Sequence, residues 1–385
     1  MATVAQTTRV RRLPHVDNLR AVMVAWIIGG HALLGYTAIG GWPYDEVQET
    51  TFDSRTELAL AVVIGPSALF VIGTFFFVAG LFAPAAMARK GPKRFAADRV
   101  VRLGIPWVLF MLLVWPLFMW FCYLAAGYDI SFWHAFTHRT PFLDSGPLWF
   151  AEVLMYVSVG YAIWTWAVRR YGHPDRLSFP QLTGRHLVAF GIAIAVTSFV
   201  VRLWFPARSK QILDLHVWQL PQCIGMFALG VAAARHAWAA QVPERVKKGA
   251  GYTLLGVLVG VPVFAAAAGI NDVASDSGPY VGGWHWQAVV LASLEAVLVV
   301  AGSIWVLGLA QRKLTGVGRI WQACARGAFA AFILQAPVLL TLSIMARPFQ
   351  LPAEAKALLV GGIAVPLCFW LGCLLIDRTR VGRLL

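Results

Sequence analysis

Charge is scarce in this sequence. Asp, Glu, Lys and Arg together make up 13% of its 385 residues, whereas a typical soluble domain has roughly a quarter. Hydrophobic residues make up 59%, and the mean hydropathy is +0.68. Most of the chain therefore lies in apolar runs, which leaves no room for a sizeable soluble domain and predicts a polytopic membrane protein.

The sequence also lacks the short motifs of several protein classes. The five cysteines are scattered and no C-x-x-C occurs, so we expect neither a disulfide framework nor a zinc site. G-x-S-x-G, P-loop, G-x-G-x-x-G and H-E-x-x-H motifs are absent. A serine hydrolase, an ATPase, a dehydrogenase and a zinc protease are therefore unsupported, and no metal is expected.

Apolar runs of about twenty residues, the length that crosses the hydrocarbon core as a helix, are abundant. Ten such runs predict an all-α fold with about ten transmembrane helices. Their approximate bounds are 19–39, 58–82, 103–126, 147–168, 187–205, 217–238, 252–270, 284–309, 324–346 and 355–376.

The connections between these runs alternate in charge. The first is acidic, the second ("ARKGPKRFAADRVVR") is the densest basic segment, and the later even-numbered connections are basic as well. Because basic residues collect in cytoplasmic loops, both termini are predicted to be cytoplasmic, as a short basic N-terminus (1–18) and a short basic tail (377–385). The net charge of +14 thus has a topological meaning, and no nucleic-acid partner is expected. Residues 1–385 are predicted to be one ten-span domain without an appended soluble domain.

The first run, "DNLRAVMVAWIIGGHALLGY", contains ionisable residues that are expensive in a membrane and suggest function. Arg20 and His31 are eleven residues apart, so a helix places them on one face, roughly 16 Å apart along its axis. Asp17 lies close to the same face. The stripe is predicted to run from the cytoplasmic surface to a histidine near mid-membrane. The alternative is a histidine hydrogen-bonded between helices and an arginine that snorkels to the headgroups.

Two further patterns suggest a site. Arg99 and Arg102 form an R-x-x-R before the third run, and guanidinium groups at i and i+3 can grip a phosphate together. The motif alone is weak, because any basic loop can produce it. Glu152 and Tyr156 lie one turn apart in the fourth run, where the carboxylate could orient a histidine or bind a hydroxylated acceptor, or simply face the outer headgroups.

Three intramembrane polar residues have no partner that the sequence identifies. They are Arg202, Glu295 and Gln335. Most of the seventeen tryptophans fit interfacial belts and packing, and we predict no tryptophan-lined binding site.

The order of these motifs resembles the acyltransferase-three family of integral membrane O-acyltransferases. "HVDNLRAVMVAWIIGGH" is similar to the family's first helix, with an arginine and a histidine separated by ten residues, here Arg20 and His31. "FFFVAGLFAPAAMARKGPKRFAADRVVRL" is similar to its second helix, basic loop and R-x-x-R, here Arg99 and Arg102, and "PLWFAEVLMY" to its fourth helix, with Glu152 as the acidic residue. The resemblance covers almost the whole chain. One departure is Gln335, in "FILQ", where relatives often have a histidine.

The resemblance implies acyl transfer from a cytoplasmic acyl-CoA, which we expect to be acetyl-CoA, to a hydroxyl of an extracytoplasmic or membrane-embedded acceptor, usually a glycan. In that scheme Arg99, Arg102 and Arg20 bind the phosphates of the donor. His31 acts as the base or as the carrier of an acyl-histidine intermediate, two options that the sequence leaves open. Glu152 orients His31 or the acceptor, with Tyr156 in support, and Asp17 organises Arg20.

Two other functions remain open from the sequence. A proton-coupled secondary transporter of a small solute would use Arg20, His31 and Glu152 as a proton relay and would need no CoA. A scaffold subunit would use its polar groups only to join helices and would tolerate His31→Ala. The composition, rich in alanine, arginine and tryptophan, fits a bacterial origin, so we expect the cytoplasmic (inner) membrane of a bacterium, with the lipid bilayer as partner. The oligomeric state stays open.

Overall fold

The structure is a computed structural model that describes residues 13–38, 42–172, 182–207, 215–267 and 278–379. All elements of regular secondary structure within these ranges are helices, which confirms the all-α prediction. The α-helices are α1 (Pro14–Leu34), α2 (Ser54–Val63), α3 (Gly65–Arg99), α4 (Ile105–Leu109), α5 (Trp115–Ala125), α6 (Phe132–Thr137), α7 (Trp149–Tyr171), α8 (Gly184–Arg202), α9 (Leu220–Ala234), α10 (Glu244–Ala267), α11 (Gly278–Val281), α12 (Trp286–Lys313), α13 (Arg319–Ala346) and α14 (Ala353–Arg378).

Seven of the described helical stretches are long and apolar enough to cross a membrane. They are Gly65–Ala125, Gly146–Tyr171, Gly184–Arg202, Val217–Ala234, Trp286–Lys313, Arg319–Ala346 and Ala353–Arg378. The count of ten crossings and the cytoplasmic location of both termini stay predictions. Most of the expected basic N-terminus and tail lies outside the described residues, since only its innermost residues join α1 and α14.

The first helix begins and ends about five residues earlier than the predicted run at 19–39. Pro14 occupies the first turn, where its missing N–H costs nothing, and the helix ends before Gly35. His31 consequently lies in the last turn of α1, and its location near mid-membrane stays a prediction.

The longest helical stretch, Gly65–Ala125, contains most of the second and third predicted spans, and the first residues of the second span (58–63) belong to α2. As a straight rod its 61 residues would extend about 90 Å, but Gly91 interrupts the helix with φ 71° and ψ 164°, a conformation that favours glycine. The chain reverses there. Phe76 before the break and Trp115 after it both lie near the start of α7, against Phe150 and Gly146 respectively.

Helices α3 and α9 touch through their backbones. A Cβ atom added to Gly80 would lie 2.2 Å from the carbonyl oxygen of Phe227, and one added to Gly230 would lie 2.1 Å from that of Phe77. Only glycine permits so close an approach. The pair supports α7 and α12 as well, because both of these helices also pack against α3.

Candidate functional site

A cavity of about 330 Å³ lies beside the N-terminal half of α1, where Arg20 meets the chain reversal at Gly91. The structure therefore brings together the three arginines that the sequence singles out, although they come from two distant segments. The charged residues that line the cavity are Arg20, Arg89, Lys90, Asp98, Arg99 and Arg102. Five basic groups around a single carboxylate make it strongly electropositive.

Aromatic rings and one carboxylate hold these cations in place. The guanidinium of Arg20 lies 5.2 Å from the ring centroid of Phe82, and that of Arg99 lies 5.1 Å from the ring centroid of Phe95. Asp98 pairs with Arg102 at 3.1 Å and with Lys90, across the reversal, at 2.9 Å.

The Nε atom of Arg99 is buried and has no hydrogen-bond partner among the described residues. A buried donor of this kind costs free energy unless a ligand or water completes it. The expected ion pair of Asp17 with Arg20 is present at 3.6 Å.

A second cavity of about 1040 Å³ adjoins the first and shares Arg20, Phe82 and Arg102 with it. Its far wall is the start of α13, with Arg319, Gln322 and Arg326. The side-chain amide of Asn18 donates hydrogen bonds of 2.8 Å to the carbonyl oxygens of Leu314 and Gly316, which ties α1 to the segment before α13. We call the two cavities together the basic cleft. Arg319 belongs by sequence to one of the basic connections, and nothing in the sequence indicates that it lines this wall.

His31 lies about 16 Å from Arg20 along α1, on the same face of the helix. Its Nδ1 atom is 2.9 Å from Oε1 of Gln335 on α13. The imidazole also stacks on the indole of Trp42, with ring centroids 4.3 Å apart and planes inclined by 20°. Gln335 and Trp42 are thus both in contact with His31, and the sequence identified neither of them as its partner.

Trp42 begins a segment that covers the end of α1, residues 42–53, which we call the cap loop. Trp42 is 3% exposed and meets Trp115 edge to face at 6.5 Å. The indole N–H of Trp115 donates to Asp144 at 2.7 Å. A tryptophan that the sequence suggested for packing or an interfacial belt therefore lies against the candidate catalytic histidine.

Ion pairs and hydrogen bonds connect the cap loop to the end of α13 and the start of α14. The ammonium of Lys356, itself 2% exposed, lies 2.6 Å from Oε1 of Glu49. Tyr44 donates to the other carboxylate oxygen of Glu49 at 2.8 Å, and Arg347 lies 3.6 Å from it. Arg347 also donates to the carbonyl oxygen of Val47. Burial alone would raise the pKa of Glu49, but the hydrogen bonds from Lys356 and Tyr44 outweigh it and hold that pKa below its ordinary value.

Glu152 is buried near the start of α7, whereas Tyr156, with which it interacts, is half exposed. Phe150 on the same helix packs edge to face against Phe332 of α13, one turn before Gln335. The hydrogen-bond partner of Nδ1 of His31 is Oε1 of Gln335, so the role of Glu152 beside His31 or the acceptor stays a prediction.

Two residues without an assigned partner in the sequence form an ion pair. Nη2 of Arg202, at the end of α8, lies 2.5 Å from Oε2 of Glu295 on α12. Arg202 is 1% exposed and its guanidinium lies 5.3 Å from the ring centroid of Trp218. Arg202 and Glu295, for which the sequence identified no partners, are therefore each other's partner. Across the described residues, no three His, Cys, Asp or Glu side chains come together as a metal site.

Comparison with known proteins gives one match. No curated protein and no solved structure matches this chain. A family model described as an acyltransferase domain matches residues 13–376, which is nearly the whole chain and includes both the basic cleft and His31. With its long apolar helices and this match, the chain belongs to the acyltransferase-three family of membrane proteins that its motifs resemble.

Proposed function

We propose that this protein is a membrane O-acyltransferase that moves an acyl group from a cytoplasmic acyl-CoA to a hydroxyl of an extracytoplasmic or membrane-embedded acceptor. The observation that carries the proposal is the basic cleft, which shares one helix face with His31. In keeping with the family, the acyl group is acetyl, the acceptor is a glycan, and the membrane is the bacterial cytoplasmic membrane.

The charge of the basic cleft supports an anionic donor with several phosphates. Arg20 and Arg102 line both cavities, and guanidinium groups bind phosphate oxygens with charge-assisted hydrogen bonds. The vacant Nε donor of Arg99 is suited to a phosphate oxygen. Arg319 and Arg326 extend the cationic surface to the second cavity, so that two phosphorylated parts of one CoA molecule can be held at once.

The distance from the cleft to His31 suits the shape of CoA. A phosphate held near Arg20 leaves about 16 Å along α1, which the flexible pantetheine arm crosses to bring its thioester to the imidazole. In this layout the phosphorylated end of CoA binds in the basic cleft, and the reaction takes place at the thioester beside His31.

The contact with Gln335 supports His31 as the base. A carbonyl oxygen only accepts hydrogen bonds, so with Oε1 facing the ring, Nδ1 carries the proton and Nε2 keeps its lone pair. Nε2 takes the proton of the acceptor hydroxyl as that oxygen attacks the thioester carbon. The C–S bond then breaks, and the thiolate of CoA receives the proton from Nε2. The products are the ester and CoA with a free thiol.

Hydrolysis of acetyl-CoA by the purified protein in nanodiscs, without acceptor, tests the proposal. We expect slow release of free thiol by the wild type, no release by His31→Ala, and unchanged binding of CoA in both. His285→Ala, at an exposed histidine, is the matched control and should behave as wild type. If acetyl-CoA, succinyl-CoA and longer acyl-CoA donors all fail to bind or react, the acyltransferase proposal is wrong and substrate-coupled proton flux becomes the measurement of interest.

A further inference from the structure

The cap loop covers His31 with an aromatic ring, and this bears on a problem that any acyltransferase faces. Water is a hydroxylic nucleophile like the acceptor. If it reaches the thioester beside His31, its oxygen attacks the carbonyl carbon, the C–S bond breaks, and the thiolate takes the proton that His31 removed from water. The products are then a free carboxylic acid and CoA, and the acyl group is lost.

We propose that Trp42 is the residue that keeps water from His31 until the acceptor arrives, and so determines whether the acyl group goes to the acceptor or to water. This inference rests on the proposed function. Trp42 stacks on the imidazole at 4.3 Å, and its indole is almost completely buried. Water cannot occupy the face of the imidazole that this ring covers.

Three further aromatic rings of this region are fully buried. Trp115 meets Trp42 edge to face at 6.5 Å, and Tyr36 meets Tyr44 edge to face at 5.7 Å. Trp115, Tyr36 and Tyr44 are each 0% exposed. A polar site that is covered by aromatic rings instead of small polar side chains offers water few hydrogen-bond partners.

The way in which the cap loop is anchored is more consistent with a cover over His31 than with simple packing. The almost completely buried ammonium of Lys356 pairs at 2.6 Å with Glu49, whose side chain is 21% exposed, and burying the ammonium costs free energy that the pair must offset. Because the pair fastens residues 42–53 to α14, it fixes the position of Trp42 over His31 without any contact to His31 itself. Trp42 is therefore a positioning residue whose effect on the reaction is exclusion of water.

Two measurements on the full-length protein in nanodiscs test the inference. The first is acceptor-free hydrolysis of acetyl-CoA, for which Trp42→Ala should release thiol at least tenfold faster than wild type. The gain should vanish in Trp42→Ala/His31→Ala, and Trp42→Phe, which keeps a flat ring, should stay near the wild-type rate. Trp284→Ala is the matched control, since Trp284 is 84% exposed, and it should change nothing.

The second measurement needs no activity. Diethyl pyrocarbonate modifies accessible neutral imidazoles, and mass spectrometry of peptides gives the rate at His31 relative to the exposed His134. We expect slow labelling of His31 in the wild type and labelling several-fold faster in Trp42→Ala, with Trp42→Leu in between; Trp42→Leu decides the matter if Trp42→Ala does not fold.

Equal labelling of His31 and His134 in the wild type, or no acceleration in the Trp42 variants, overturns the inference. If the wild type neither binds nor cleaves any acyl-CoA, the proposed function fails separately, and the labelling rates still decide whether Trp42 excludes water from His31.

Discussion

The side-chain oxygen of Gln335 lies 2.9 Å from Nδ1 of His31, although 304 residues separate the two along the chain. Gln335 is completely buried. In the proposed reaction its oxygen accepts from Nδ1–H of His31, so that a neutral amide leaves Nε2 with its lone pair.

Replacement of Gln335 tests this arrangement. Gln335→Leu removes the acceptor for Nδ1–H, and because a buried hydrogen bond of this kind contributes about 1–3 kcal/mol, the rate of acetyl-CoA cleavage should fall roughly 10- to 100-fold. Gln335→Glu keeps an acceptor oxygen and should retain more activity than Gln335→Leu. Equal rates in Gln335→Leu and wild type, at equal CoA affinity, would contradict the orienting role.

Replacing the arginines of the basic cleft should weaken the binding of CoA. Arg99→Ala and Arg102→Ala each remove a charge-assisted contact to phosphate, so the Kd for CoA should rise about tenfold for each variant, which corresponds to 1.4 kcal/mol. Isothermal titration at two salt concentrations measures the effect, and the difference from wild type should shrink at high salt.

Arg94→Ala is the control for the cleft. Arg94 is exposed, belongs to the same basic segment and does not line the cavity. If its replacement weakens CoA binding as much as that of Arg99 does, the effect is one of net charge, and the cleft is not the binding site.

The pair of Arg202 and Glu295 predicts a strongly non-additive result. Arg202→Met leaves a buried carboxylate without its cation, which should destabilise the protein by roughly 3–5 kcal/mol. Arg202→Met/Glu295→Leu removes both charges and should recover most of the loss. Thermal unfolding of the four proteins forms a double-mutant cycle; additive losses would mean that the two side chains do not interact in the membrane-embedded protein.

The lowered pKa of Glu49 predicts how the stability of the cap loop depends on pH. Its folded-state pKa is lowered, so its contribution is fully present above the unfolded-state pKa and is lost as pH falls through the lower folded-state pKa. Glu49→Gln leaves Lys356 buried without its closest anion and should cost roughly 3 kcal/mol at pH 7.

The unfolding temperatures of wild type and Glu49→Gln should therefore converge as the solution is acidified below pH 4. Asp129→Asn, at an exposed carboxylate of another loop, should show neither effect. A gap between wild type and Glu49→Gln that stays constant down to pH 3 would refute the assignment.

Local periodicity was enough to predict that Arg20 and His31 share a helix face, because the two belong to one helix. The convergence of Arg99 on the same cavity followed from the family's motif order. The predicted helix ends were less accurate: hydropathy extended the first span to residue 39, while the helix ends before Gly35 and Trp42 stacks on His31.

The contacts of His31 could not be read from the sequence, since they join segments that have no fixed spacing. Gln335 is one intramembrane amide among many apolar residues, and its partner is set by how α1 packs on α13. Trp42 carries no local signal that separates it from sixteen other tryptophans. Arg202 and Glu295 were each conspicuous, yet only the packing of α8 on α12 shows that they neutralise each other.

The backbone contact of Gly80 with α9 has a mechanical consequence. Two helices that touch main chain to main chain can neither rotate nor slide past each other without a clash, so α3 and α9 act as a stationary frame. A machine that alternates access would have to rock such elements against one another. The proposed acyl transfer needs no such movement of α3 against α9.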